Sequence, residues 1–147
     1  MLGGCSQMSI ITEVMLYLAS KGIVQYSTTG GDNNVFMGRL PAEPSAAIAI
    51  NPSGGYGASI KHAYDSPTLQ ILVRGTQDPR TGYEKALQIY DALHGFGGDR
   101  FIAGGHWVVK CEGIQSEPVY LGQDENGRHM YTLNFALEIK RPSTHRQ

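Results

Sequence analysis

A chain of 147 residues is long enough for one real core and too short for two cores with a linker between them. Its 12 Lys and Arg nearly balance 13 Asp and Glu, and charged residues make up only 17%, so no basic excess exists to make nucleic-acid binding the main activity. A hydrophobic share of 41% with 19 glycines describes a turn-rich globular protein and excludes a disordered one.

No run of 18 apolar residues occurs, and the first ten residues lack the basic region and apolar stretch of a secretion signal. The expectation is a soluble chain made inside the cell with no membrane partner. Cys5 and Cys111 stand far apart in different contexts, which argues against a disulfide framework.

Residues 1–8, MLGGCSQM, have no period and read as a flexible leader, with Met8 a possible second start. Ser9 is placed to cap a helix over 10–21, with Glu13 in its first turn, where negative charge is favoured. Ile11, Val14, Met15 and Leu18 form the apolar face, and Gly22 supplies the stop. Ile10, Leu16 and Tyr17 widen that face, so the helix either wedges deeply into its own domain or meets a second subunit.

Ile23, Val24 and Tyr26 suggest a short extended piece before the turn TTGGDNN. This glycine pair is not a phosphate loop, because neither the following Lys-Ser/Thr nor a strand–loop–helix setting is present. A short strand is expected over 35–40, a turn over 41–45, and a small-residue interior strand over the AAIAI run. Residues 51–67 form either a long loop or two ragged strand edges joined by a turn, with Tyr56, Lys61 and Tyr64 as candidate contact residues.

The chain is organised around residues 67–95, which read as strand, turn and helix. Leu69, Ile71 and Val73 alternate with more polar neighbours, giving the strand one apolar face. Tyr83, Leu87, Tyr90 and Leu93, widened by Ala86 and Ile89, predict the helix face that covers it. Two starts compete: Asp78 with Pro79 at the first helical position, and Thr81 with Glu84 as a capping box. His94 and Gly95 mark the stop. Arg74 at the end of the strand and Arg80 in the turn are candidate subunit or lumen contacts.

After a glycine-rich loop over 95–105, WVVKC resumes an extended pattern and a short strand is expected over 117–121. The GQDENGR turn leads into the clearest strand of the chain, with Tyr131, Leu133, Phe135, Leu137 and Ile139 on one face. These two strands read as an antiparallel hairpin. The basic, proline-broken tail 141–147 is expected to leave the fold. The fold class is therefore α+β, one domain over 9–140: a mixed, mostly antiparallel sheet of about five or six strands with two principal helices packed on one side.

Reactive constellations are missing from the sequence. His62, His94, His106, His129 and His145 are dispersed, with no HxxxH, HExxH or CxxC spacing; His106 with Cys111 and Glu112 is the best local cluster, and it alternates around a strand. Asp65, Asp78, Asp91 and Asp99 pair only through folding, and Ser59, Ser66 and Ser116 lack a nucleophile-elbow setting. No catalytic, metal or cofactor-binding residue is assigned.

The runs LQILVRGTQDPRTGYEKALQIYDALHG and YLGQDENGRHMYTLNFALEI, in this order after an N-terminal helix and an AIAI strand, resemble the tail terminator type of minor capsid or tail-completion proteins of long-tailed bacteriophages. The resemblance covers about 9–140. It implies a structural virion protein and no enzymatic reaction: a homo-oligomeric ring, commonly hexameric, that caps the head-proximal end of the tail tube, stops its polymerisation and offers a surface for head–tail joining. Implied partners are the tail tube protein and connector proteins of the neck, with DNA passing through the ring without sequence recognition and assembly taking place in the host cytoplasm. The alternatives are another connector or neck ring and, less favoured, a small-molecule-binding protein or enzyme.

Overall fold

A computed structural model describes residues 8–146, so all but Met8 of the leader expected over 1–8, Cys5 included, lies outside the described residues. In chain order the elements are α1 (Ile10–Ser20), β1 (Val35–Met37), β2 (Ala47–Tyr56), β3 (Tyr64–Arg74), α2 (Pro79–Leu93), β4 (Asp99–Arg100), β5 (Trp107–Gly113), β6 (Val119–Gln123) and β7 (His129–Lys140). The α+β expectation holds, with seven strands once the three-residue β1 and two-residue β4 are counted.

β7 is the spine of the sheet. β3 pairs with it antiparallel along one edge, while β5 and β6 share the other edge, β5 against residues 135–140 and β6 against residues 129–132. The strand order is β1-β2-β3-β7-β5-β4, and only the β1–β2 pair is parallel. The alternation foreseen in β3 and β7 decides which face is core. Leu69, Ile71, Val73, Leu133, Phe135, Leu137 and Ile139 are all buried beneath the helices.

α1 begins where Ser9 accepts the Thr12 N–H at 3.2 Å, and Ile10, Ile11, Val14, Met15 and Leu18 are buried in the chain's own core. The helix is wedged into its own domain along that line, while Leu16 and Tyr17 at its margin are half-buried. α2 starts at the Asp78 cap, which accepts the Arg80 N–H at 3.0 Å, with Pro79 as the first helical residue; the Thr81 start is not used. Its buried line is Gly82, Ala86, Ile89 and Leu93, so the face is rotated from the expected one, and Tyr83, Leu87 and Tyr90 flank it half-buried. The cause is close approach: a Cβ on Gly75 would lie 2.5 Å from the Gly82 nitrogen, so only small residues let α2 settle over the end of β3.

Residues 51–67 take the second of their two expected forms, strand edges joined by a turn: β2 and β3 continue into a long hairpin whose connection is only 57–63. Period alone left the choice open because a bulge falls between Pro52 and Gly55, where Gly55 at φ 140 passes against the Ser66 carbonyl and leaves no room for a side chain. The tail expected to leave the fold instead returns to it. Arg141 and Arg146 both pair with Asp65, at 3.3 and 2.7 Å.

Candidate assembly surfaces

The β2–β3 hairpin carries all three residues of the candidate contact loop. Tyr56 ends β2, Tyr64 begins β3, and Lys61 stands exposed in the connection beside Ile60, which is 83% exposed. Large apolar groups this exposed mark a contact surface more often than an idle one when they cluster. The tip is built and braced. Ser59 Oγ accepts the N–H groups of Lys61 and His62 at 3.1 Å, and Arg146 donates to the carbonyls of Ser59 and His62 at 3.2 and 3.1 Å. Beneath the tip, the hydrogen bond from Arg146 holds the Asp65 carboxyl below its ordinary pKa, against the opposing pull of burial.

Arg74 and Arg80 separate sharply. Arg74 is buried, and its guanidinium donates to the carbonyls of Ser45, Pro41 and Pro44, at 2.8, 2.5 and 2.9 Å. It fastens residues 41–45 onto the end of the sheet, and within the protomer it has no free face for a neighbour or a lumen. Arg128 adds a second clamp, donating to the Ala42 carbonyl at 2.8 Å while paired with Asp124 at 2.7 Å. A strand-end arginine reads the same in sequence whether it points out or folds back. Arg80 is the opposite case, at the open start of α2 with a side chain 81% exposed and paired with Asp78 at 3.2 Å.

A second apolar surface lies on β6, where Val119, Tyr120 and Leu121 are exposed together with Ile114 just upstream. Half of the expected hairpin, this strand also carries a surface whose signal in the sequence is three consecutive large apolar residues in a segment too short for two buried faces. On the side of the sheet away from the helices, Tyr56, Thr68, Lys110, Glu112 and Glu138 line an open groove of about 640 Å³.

The best local metal cluster of the sequence comes apart on folding. His106 turns inward to Glu13, with Nδ1 2.7 Å from its carboxylate, and Cys111 joins the core, where burial pushes its thiol up to about 12. Glu112 stays on the exposed face. Among the described residues no group of three His, Cys, Asp or Glu is placed to hold a metal ion, and no helix is long and apolar enough to cross a membrane. The Glu13–His106 pair itself was missed. Its signal was Glu13 sitting three residues after Ile10 and one before Val14, on the buried stripe of α1.

The architecture thus offers two exposed apolar surfaces on one sheet. No curated protein matches the chain. The family model described as bacteriophage tail terminator protein matches residues 17–141, from the second half of α1 to just past the end of β7. With the match running over most of its length, the chain belongs to the bacteriophage tail terminator family and is a structural component of phage tails.

Proposed function

We propose that the protein forms a ring, hexameric in its working state, which caps the head-proximal end of the tail tube, stops tube polymerisation and presents its other face to the connector proteins of the neck. The observation that carries this reading is the family match together with two different exposed apolar surfaces, the β2–β3 hairpin and β6. A closed ring repeats one heterologous contact and leaves two unlike faces for unlike partners. No reaction is required: capping is a matter of geometry, and DNA passes through the opening without sequence recognition. The ring assembles in the host cytoplasm and ends in the virion neck.

Within this scheme the hairpin residues Tyr56, Lys61 and Tyr64 meet the tube or the connector. Arg80, exposed at the start of α2, meets a neighbouring subunit or the lumen; Arg74 supports that region from inside. The test is binding of the purified protein to isolated tail tubes, comparing wild type with a Tyr56→Ala, Lys61→Ala, Tyr64→Ala chain. Wild type is expected at one tube end only, with the triple variant folded and bound at least about tenfold more weakly. Equal binding of the two sinks the hairpin assignment, and an absence of wild-type protein at tube ends sinks the capping function.

A further inference from the structure

Five strands share one register row: Val35 of β1 stands opposite Ile48 of β2, then Val73 of β3, Tyr131 of β7 and Tyr120 of β6. This row begins and ends on strands that have no outer strand neighbour among the described residues. Free edges present unpaired backbone donors and acceptors, and proteins that leave them idle blunt them with charge, proline, bulges or very short strands. β1 has only three residues, Pro118 directly precedes β6 and a bulge falls between Tyr120 and Gly122, but neither strand itself contains a charged residue or a proline. Instead Met37 on β1 is 57% exposed, and Leu121 on β6 is 52% exposed.

Strand direction limits what fits. β1 runs with β2, and each later step along the row reverses direction, so β6 runs opposite to β1. A second copy in the same orientation therefore sets its β1 antiparallel against β6 of the first. The flanking charges agree with that arrangement. Exposed Arg39 lies two residues beyond β1, and exposed Glu117 lies two residues before β6. Antiparallel strands bring the end of one to the start of the other, and extending the register from Val35 opposite Tyr120 sets Arg39 opposite Ser116, beside Glu117. Glu117 already accepts the Tyr83 hydroxyl at 2.8 Å, a contact that fixes its carboxylate and leaves acceptor capacity for a guanidinium.

We infer that β6 of one copy pairs antiparallel with β1 of a second copy of this chain, so that the sheet continues from subunit to subunit with an Arg39–Glu117 ion pair setting the register. The inference rests on the ring reading above and names the contact that would build it. Because the two edges differ, the contact is head-to-tail and repeats until it closes.

Native mass spectrometry of the full chain over a concentration series tests it, with Arg39→Glu and Glu117→Arg separately, combined in one chain, and mixed in equal amounts. Both positions are exposed, and because Glu117→Arg also removes the acceptor of the Tyr83 hydroxyl, the fold of each variant is checked by circular dichroism. Each single substitution is expected to raise the concentration for half-assembly by about tenfold, and the double variant and the equal mixture to recover most of the loss. A wild-type ring that ignores both single substitutions, or a loss that the combinations leave unrepaired, overturns the contact and leaves ring capping standing. Unchanged ring size with weakened binding to tail tubes also overturns it, assigning the edge to the tube protein. A wild-type chain that stays monomeric and leaves tube ends bare overturns the ring reading itself.

Discussion

Glu13 of α1 holds His106 at both of its ends: one carboxylate oxygen accepts the His106 backbone N–H at 2.9 Å, and the other lies 2.7 Å from Nδ1. A carboxylate oxygen accepts, so Nδ1 is the donor, and the pair ties the first helix to the start of β5 across the core. Glu13 has no exposed surface and His106 almost none. Gly105 beside them leaves the carboxylate its place, because a Cβ there would sit 2.6 Å from the Glu13 oxygen and push it aside.

Replacing Glu13 by Ala strands two buried donors at once. The expected loss is about 3–5 kcal/mol of folding stability in urea denaturation, the range for breaking a buried pair by removing one partner. Glu13→Gln keeps an acceptor oxygen and should cost clearly less than Glu13→Ala. Equal losses for the two variants would show that shape alone, and not hydrogen bonding, matters at this site.

Arg74 and Arg80 should respond in opposite ways. Arg74→Lys cannot reproduce three hydrogen bonds to the carbonyls of residues 41–45, so it should destabilise the fold by about 2 kcal/mol and speed amide exchange through that segment. Arg80→Ala removes only an exposed pair with Asp78 and should leave the melting temperature where it was. A stability loss on Arg80→Ala larger than that on Arg74→Lys would contradict the assignment of the two residues.

Gly75→Ala tests the approach of α2 to the sheet. The new methyl meets the helix backbone at Gly82, which cannot rotate away, so a loss of about 1–3 kcal/mol and a lowered melting temperature are expected. Gly57→Ala, in the hairpin connection with open space around it, should be close to neutral. A neutral Gly75→Ala would mean that α2 sits further from β3 than the structure has it.

The Asp65 clasp sets a pH dependence whose sign follows from its lowered carboxyl pKa. A carboxylate held below its unfolded value, about 3.9, contributes fully above that value and loses its contribution as pH falls through the folded one. Tail residues 141–146 should therefore stay protected from carboxypeptidase and amide exchange from pH 7 to pH 5, and become released only below about pH 4. Release between pH 7 and pH 5 would show that Asp65 does not hold the tail.

How far the sequence carried the fold depends on how local each cause was. The faces of β3 and β7, the Ser9 and Asp78 caps and the β6–β7 hairpin are set by residues within a turn or two of one another, and all are visible in spacing and turn chemistry. Gly82 outranks Tyr83 on α2 because of Gly75 and Tyr131, contacts no helical period reports. Arg74, Glu13 and Arg146 turned out differently for the same reason. Their partners are 29 or more residues away, for Arg74 in residues 41–45, for Glu13 at His106, and for Arg146 in the β2–β3 hairpin. The candidate contact hairpin was legible as a place, through Tyr56, Lys61 and Tyr64, but the bulge at Gly55 left strand and loop undecided there.

The capping role is tested most directly by electron microscopy of tail tube protein polymerising with and without this protein. Tubes are expected to stop growing, each bearing a ring of this chain at a single end, with mean tube length falling as more ring is added. Tubes that lengthen as they do in its absence, or that bind the protein along their sides rather than at one end, would contradict it.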